Sequence, residues 1–374
     1  MISRTRLHGL VFVATATAIV MWLSFNFSAN LAARGMTIDF GFLSAPTSFP
    51  IGESLIAYSS GDTYLRALTA GLLNTIHLAL SSIVLATVFG IAVGLAARIG
   101  HPLLTSAAKT YVEFTRNVPL LLILVVCATA VRGLPAPRQA WILFDGVILS
   151  SRGLYLPMPV FSGGWALGIA AVILASTTSV VWKWSLRGRS RLGSFPFASR
   201  ISLTFCVAGF ASLVVWICLT TSMDWPRLTA FNFRGGWSVT PEYLAMMFGL
   251  GFYTSGFIAE IVRGSLAAIP KGQSEAAASL GLSTLLSLWL VQAPQAIRLT
   301  LPPLANQYLN LIKNTTLAVL IGFPDLVSVG NTALNQTGRA IETVSIYLLI
   351  YLSLSLITSM IIRRLERRAQ VVKL

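Results

Sequence analysis

The sequence is short of charge, and the little charge that it carries is mostly positive. Only 10% of its 374 residues are charged, whereas 55% are hydrophobic. A soluble domain usually has about 25% charged residues. This shortage excludes an ordinary soluble domain and predicts a protein embedded in lipid. The net charge of +15 does not indicate nucleic acid as a partner, because the basic residues lie at the ends of apolar runs, where membrane orientation requires them.

Cysteine and histidine are scarce as well. The three cysteines fall inside apolar runs, and none has the spacing of a metal site, so a disulfide framework and a zinc site are not expected. The three histidines lie far apart, which gives no catalytic set for an intramembrane enzyme. The chain also lacks the G-x-x-x-x-G-K-S/T segment that cradles phosphates, so it carries no P-loop.

Long apolar runs are abundant instead. A membrane-spanning helix needs about 20 mostly apolar residues. Eight runs satisfy this requirement: 9–29, 68–96, 114–131, 164–183, 201–221, 243–262, 299–323 and 343–362. We therefore predict an all-α membrane protein with about eight transmembrane helices. The first run follows Arg4 and Arg6 and is too long for a signal peptide, which predicts a retained anchor helix.

Arginine-rich flanks orient these spans. The N-terminus, segment 183–200 and residues 363–368 are all rich in arginine, and such flanks lie on the cytoplasmic side. They agree with one another only if the number of spans is even. Both termini are therefore predicted to be cytoplasmic. The segments predicted to face outward are 30–67, 132–163, 222–242 and 324–342.

Residues 276–297 form a further uncharged segment. A ninth span there would place the C-terminal arginines outside, and Gly281 and Pro294 interrupt a long helix. We predict a cytoplasmic loop that is apolar because another protein covers it.

Within this loop, Glu275, Ala276 and Ala277 are followed by Gly281 and later by Pro294. The alanines make a thin helix that can lie close against a partner. Glu275 is predicted in its first turn, where a negative charge suits the helix dipole. Gly281 permits either a left-handed stop or a close backbone approach. From the residues alone, an ordinary amphipathic connector is an equally good interpretation.

This stretch resembles the cytoplasmic EAA motif of binding-protein-dependent ABC importers, with Ala293 in place of the usual leucine before Pro294. Three other stretches resemble the polar amino-acid branch of these importers: Val112–Leu122, Ala259–Gln273 and Ile312–Gly322. The long first loop and an extra pair of spans are most similar to the larger of the two permeases of the general L-amino-acid importers.

The resemblance implies a permease bundle with a short cytoplasmic coupling helix, in which Glu275, Ala276, Ala277 and Gly281 dock on a P-loop ATPase dimer. It implies a second permease, expected to be unlike this one, and a periplasmic amino-acid-binding protein. ATP and Mg would belong to the ATPase, leaving this chain without a cofactor and without catalysis in the bacterial inner membrane.

The resemblance also implies a domain organisation. The N-terminal anchor and a periplasmic loop occupy 1–67, the permease transmembrane domain 68–365, and a basic cytoplasmic tail 366–374. Segment 132–240, with two spans, is interpreted as an insertion into the permease domain.

A polar stripe occupies the seventh predicted span. Offsets of 0, 1, 4, 7 and 8 place its members on one helical face: Asn306, Gln307, Asn310, Lys313 and Asn314. Polar side chains in hydrocarbon face a partner helix or a wet cavity. The stripe is therefore either a wall of the substrate path or a set of interhelical hydrogen bonds, and both interpretations stay open.

Other polar residues favour structural roles. Asn74, His77 and Ser81 form a weaker stripe that is expected to pack helices. Glu260 with Arg263, and Glu113 with Arg116, have the spacing of structural ion pairs, and a ligand site is the other interpretation. An ion-coupled secondary transporter is the alternative function, and it would use intramembrane carboxylates. Glu113 and Glu260 are the only candidates, and both lie near a predicted membrane face.

Overall fold

The computed structural model describes residues 4–161 and 221–371, apart from 34, 36, 98–100, 230 and 231. The chain divides into two compact units, residues 1–121 with 250–374 and residues 122–249. The predicted insertion 132–240 falls within the second unit, and its interpretation as an insertion stays a prediction. The predicted spans 164–183 and 201–221 and the arginine-rich segment between them lie outside the described residues.

Helices dominate the described part of the chain. In chain order they are α1 Arg4–Ala33, α2 Tyr64–Ala96, α3 Pro102–Asn117, α4 Leu120–Arg132, α5 Pro241–Ala267, α6 Lys271–Ser279, α7 Thr284–Ser287, α8 Ala293–Asn314, α9 Ala318–Ile321, α10 Leu326–Thr337 and α11 Ala340–Val371. Short 3-10 turns occupy Phe40–Ser44, Pro137–Gln139 and Thr315–Leu317, and a π turn occupies Leu288–Gln292.

Four described helices are long and apolar enough to cross a membrane, namely α1, α2, α5 and α11. Two broken helix pairs raise that number to six among the described residues, if each pair is one span. These six correspond to six of the eight predicted runs. The predicted helical membrane architecture is confirmed, and the total of eight spans stays a prediction.

The structure corrects two predicted boundaries. The run 114–131 is not one helix, because Val118 takes an extended conformation before Pro119, as a residue preceding proline usually does. Residues 276–297 contain the predicted thin helix, within α6, but the segment is helical beyond it as well, because α7 and the π turn lead directly into α8. The span predicted at 299–323 therefore begins earlier, at Thr284, and is bent by 53° before α10.

Helices α2 and α5 approach each other closely through glycine. A Cβ atom at Gly90 would lie 2.7 Å from the Cβ of Ile258, and one at Gly94 would lie 2.8 Å from the carbonyl oxygen of Ala259. Small residues allow membrane helices to bring their backbones together. The core of the first unit is built on this contact and includes residues of α8, among them Leu304 and Leu311.

Eight short strands form the part of the second unit that no sequence pattern led us to predict. They are β1 Trp141–Phe144, β2 Val147–Ser150, β3 Gly153–Leu156, β4 Met158–Phe161, β5 Thr221–Asp224, β6 Arg227–Leu228, β7 Phe233–Arg234 and β8 Trp237–Val239. The strands β1-β2-β3-β8 make an antiparallel sheet, and β4-β5 and β6-β7 make two-stranded ribbons. The predicted outward segments 132–163 and 222–242 are therefore partly strands.

Candidate functional site

The helix α6 carries the EAA residues, and its end is defined by Gly281. The N–H of Gly281 donates to the carbonyl of Ala278 at 2.9 Å, and the N–H of Leu282 donates to that of Ala277 at 3.1 Å. With Gly281 at φ +77°, this is a Schellman motif. A Cβ at Gly281 would meet nothing within 4 Å. The glycine therefore provides the left-handed stop, and no close approach within the described chain requires it.

The EAA residues of α6 differ in their exposure. Ala277 is buried, whereas Glu275 and Ala276 are exposed. Leu280, which follows the helix, is 81% exposed. The structure corrects one prediction: Glu275 is the fifth residue of a helix that begins at Lys271 and is not in its first turn. Its carboxylate therefore gains little from the helix dipole, whose effect is confined to the first turn.

A side-chain hydrogen bond links α6 to α8. The Nε2 of Gln295 donates to the Oε1 of Gln273 at 3.1 Å and to the carbonyl oxygen of Val291 at 3.0 Å. Pro294 lacks the N–H that would bond to Leu290 in an α-helix, and the backbone widens into the π turn just before it. The bond from Gln295 therefore links α6 to the beginning of α8.

The polar stripe lies on the side of α8 that faces away from the core. Ala296, Thr300, Leu304 and Leu311 form the buried side of the helix. The five stripe residues are exposed or half-buried: Asn306, Gln307, Asn310, Lys313 and Asn314. Within the described residues, none of these side chains makes a hydrogen bond or ion pair. Helix packing inside this part of the chain therefore does not explain the stripe.

Asn74, in the weaker stripe on α2, has the structural role expected of it. The Nδ2 of Asn74 donates to the carbonyl oxygens of Glu53 at 2.7 Å and Pro324 at 2.9 Å. Ser81 donates to the carbonyl oxygen of His77 in its own helix at 2.9 Å. Asn74 thus joins α2 to the first loop and to the segment before α10.

Only one of the two predicted ion pairs is present. The guanidinium of Arg263 binds both carboxylate oxygens of Glu260, at 2.6 and 2.8 Å. Glu113 and Arg116 do not pair within the described structure, so that prediction is wrong. Both residues instead line an open cavity of about 330 Å³, together with Glu260 and Arg263. The cavity is also lined by residues of α2 and α5, among them Gly94 and Ala259.

Asp325 is a buried carboxylate that the sequence interpretation overlooked. It is fully buried at the start of α10, where its Oδ1 accepts from the backbone N–H of Ser328 at 2.8 Å. An Asp immediately before a helix can cap it by accepting a hydrogen bond from a backbone N–H three residues later, here that of Ser328. This N-cap signal could have identified Asp325 from the sequence. The carboxylate has a structural function as a cap.

A family of known proteins matches most of this chain. The family is described as "Binding-protein-dependent transport system inner membrane component", and its match covers residues 86–371. The matched region contains α6, α8 and the EAA residues. The chain belongs to this family. It is therefore a transport permease of the membrane, and the permease fold predicted from the EAA resemblance is confirmed.

Three curated relatives match over most of their length. The "General L-amino acid transport system permease protein AapQ" of Rhizobium johnstonii is 40% identical over 96% of this permease and 90% of the relative. The "Putative amino-acid ABC transporter permease protein YhdX" of Escherichia coli is 41% identical over 99% and 95%. The "Glutamate/glutamine/aspartate/asparagine transport system permease protein BztB" of Rhodobacter capsulatus is 34% identical over 91% and 87%.

Proposed function

We propose that this permease is a subunit of an ATP-driven importer of polar L-amino acids. Support comes from relatives whose names describe amino-acid transport and that match nearly the whole chain. The single observation that carries the mechanism is α6, a short helix with Glu275 and Ala276 exposed at the position of the family motif. A helix presented in this way is suited to contact a partner.

In this proposal α6 is the coupling helix. It docks on a cytoplasmic P-loop ATPase dimer through Glu275, Ala276, Ala277 and Gly281. The ATPase binds ATP and Mg and hydrolyses the nucleotide. The exposed side of α6 supplies the contact, while buried Ala277 lets the helix lie close to its own chain. The hydrogen bond between Gln273 and Gln295 connects α6 to the helix that carries the polar stripe.

The polar stripe is proposed to line half of the translocation path. Asn306, Asn310 and Lys313 face away from the core of this chain, and a second permease, expected to be unlike this one, would supply the opposite wall. A periplasmic binding protein would deliver the amino acid. Polar groups on such a face are costly against lipid, and an aqueous path between two subunits removes that cost.

The orientation in the bacterial inner membrane follows from the arginine-rich flanks. Both termini and α6 are proposed to be cytoplasmic, and the first loop to be periplasmic. In intact cells, an impermeant thiol reagent should label Ser60→Cys in that loop and should not label Leu280→Cys. Both positions are exposed, so labelling of Leu280→Cys from outside would overturn the orientation.

Reversal of the charge at Glu275 tests the coupling role. Glu275→Lys should insert normally but should recover less ATPase on purification, because an attraction to a basic partner becomes a repulsion. Transport-stimulated ATP hydrolysis should fall with it. Glu366→Lys, the same change on the C-terminal helix, is the control and should retain both. Equal recovery and equal hydrolysis in the two variants would contradict the proposed docking.

A further inference from the structure

The edge strand β1 is apolar on both of its faces, and its side chains are exposed. Its four residues are Trp141, Ile142, Leu143 and Phe144, and all are exposed, Ile142 by 72% and Phe144 by 75%. No strand pairs with its outer edge among the described residues. A free apolar edge of this kind is an aggregation hazard in water unless something covers it.

The register extends this apolar surface across the sheet. Trp141, Leu149, Leu154 and Val239 are successive cross-strand neighbours, so they share one face. The opposite face packs Ile148 and Tyr155 against Phe233. Along the first face, exposure falls from Trp141 through half-buried Leu149 and Leu154 to buried Val239. The exposed apolar surface is therefore centred on the edge strand β1 and its neighbours β2 and β3.

Chain connections hold this sheet at the end of membrane helices. Only Thr240 separates β8 from α5, and it caps that helix by accepting from the N–H of Tyr243 at 3.2 Å. On the other side, the N–H of Ser151 donates to the carbonyl oxygen of Pro135 at 2.9 Å, three residues after α4 ends. Strands lie about 4.8 Å apart, so β1 is only about 14 Å from β8.

The helix that leads into the sheet also has an apolar surface. Leu122, Val125 and Val126 of α4 are exposed and belong to the same compact unit as the sheet. Tryptophan is enriched where hydrocarbon meets headgroups, and Trp141, Trp225 and Trp237 are all exposed in this unit. The strand therefore has the composition of a membrane-interface segment.

We propose that β1 and the adjacent apolar face of the sheet rest in the lipid headgroup layer, at the membrane surface where α5 begins. The unpaired backbone groups of β1 set the depth. They would be unsatisfied in hydrocarbon, whereas water and phosphate oxygens satisfy them among the headgroups. The sheet thus anchors the second unit to the bilayer surface.

Phe144 is the position that tests this proposal. Trp141 lies near the membrane simply because α4 precedes it, whereas Phe144 is at the far end of β1 and reaches lipid only if the strand lies along the surface. A bimane label on Phe144→Cys would be studied in the assembled importer in nanodiscs, with the three native cysteines replaced by serine. Ile142→Cys provides a second position on the same strand, and Arg227→Cys provides an exposed, charged control.

Interfacial segments insert about 5–10 Å, so lipids with a nitroxide near the headgroup should remove about half of the fluorescence at Phe144 and Ile142. Aqueous iodide should quench these two labels weakly and the label at Arg227 strongly. Strong iodide quenching at both strand positions would overturn the proposal. Iodide quenching that disappears only when an amino-acid-binding protein is added would also overturn it, in favour of a protein-docking surface.

Discussion

At the scale of single residues, the conformation of Gly281 governs how the coupling helix ends. Its φ of +77° costs a residue with a Cβ about 1–2 kcal/mol, and asparagine tolerates it best. The sequence motif alone left two explanations for this glycine. The space around it is empty within the described chain, which supports the left-handed stop, whereas a close approach by the ATPase requires a test of its own.

Gly281→Val should therefore weaken the affinity of the permease for its ATPase by about 5–30-fold, the factor that corresponds to about 1–2 kcal/mol. Gly281→Asn should weaken it much less, because asparagine keeps the left-handed stop. Titration of the ATPase against each permease variant in nanodiscs measures both values. Equal losses in the two variants would mean that the partner needs the missing Cβ, and not the backbone conformation.

Asp325 is a second residue with a specific role. Because its Oδ1 caps α10, Asp325→Leu should lower stability by about 0.5–2 kcal/mol, whereas Asp325→Asn keeps an acceptor and should retain uptake. Thermal unfolding measures the stability of both variants, and an uptake assay measures their transport of amino acids. Loss of uptake in a stable Asp325→Asn protein would show that the negative charge itself is needed, as the ion-coupled alternative requires.

At the scale of elements, the helices were the predictable part of the fold and the strands were not. A run of about 20 apolar residues identifies a membrane-spanning helix, and six predicted runs have a counterpart among the described helices. The hairpins were missed although Asp145-Gly146 joins β1 to β2 as a two-residue turn, a strong hairpin signal. No described strand has more than four residues, and the segment had been interpreted as an outward loop.

The hydrophobic pattern of the sequence also did not contain enough information to place the ends of the helices. Residues 276–297 lack charge and contain Gly281 and Pro294, which suggested a loop. The structure accommodates Pro294 with a π turn and continues the helix. Asp325 was overlooked for a related reason, because residues 324–342 were predicted to be an outward loop, whereas α10 packs against α2. Helix-breaking residues such as Gly281 and Pro294 do not show how a segment packs in the folded chain.

The polar stripe on α8 is the element whose role can be tested most sharply. Asn310→Leu and Lys313→Met should abolish or alter uptake while the complex stays assembled, because both residues lie outside the core of this chain. Leu311→Ala, on the buried side of the same helix, should do the opposite and lower stability by about 2–5 kcal/mol. Uptake in proteoliposomes and thermal stability of the purified complex separate these outcomes.

If Asn310→Leu and Lys313→Met keep uptake but reduce stability, the stripe packs against the second permease and does not line the path. Interhelical hydrogen bonds in membranes contribute about 0.6–2 kcal/mol each, which sets the size of that loss. The sequence could place the five residues on one helical face. It could not show whether the same chain covers that face, since this depends on how α8 packs on α2 and α5.

At the scale of the whole molecule, this chain is a membrane permease that depends on other subunits. Its polar stripe lies on the surface, its coupling helix is exposed, and the sequence has no P-loop. Each of these features would be unfavourable, or would have no function, in an isolated chain. Partner subunits explain them: an ATPase, a second permease and a binding protein. The family membership supports the same dependence.

The most direct test of this account measures the source of energy for transport. The permease, co-purified with its partners and reconstituted in proteoliposomes, would be assayed for uptake of polar L-amino acids. We predict uptake that requires both ATP on the side of α6 and the binding protein on the opposite side, and that persists when ionophores collapse ion gradients. Uptake by the permease alone, driven by an ion gradient without ATP, would contradict the account.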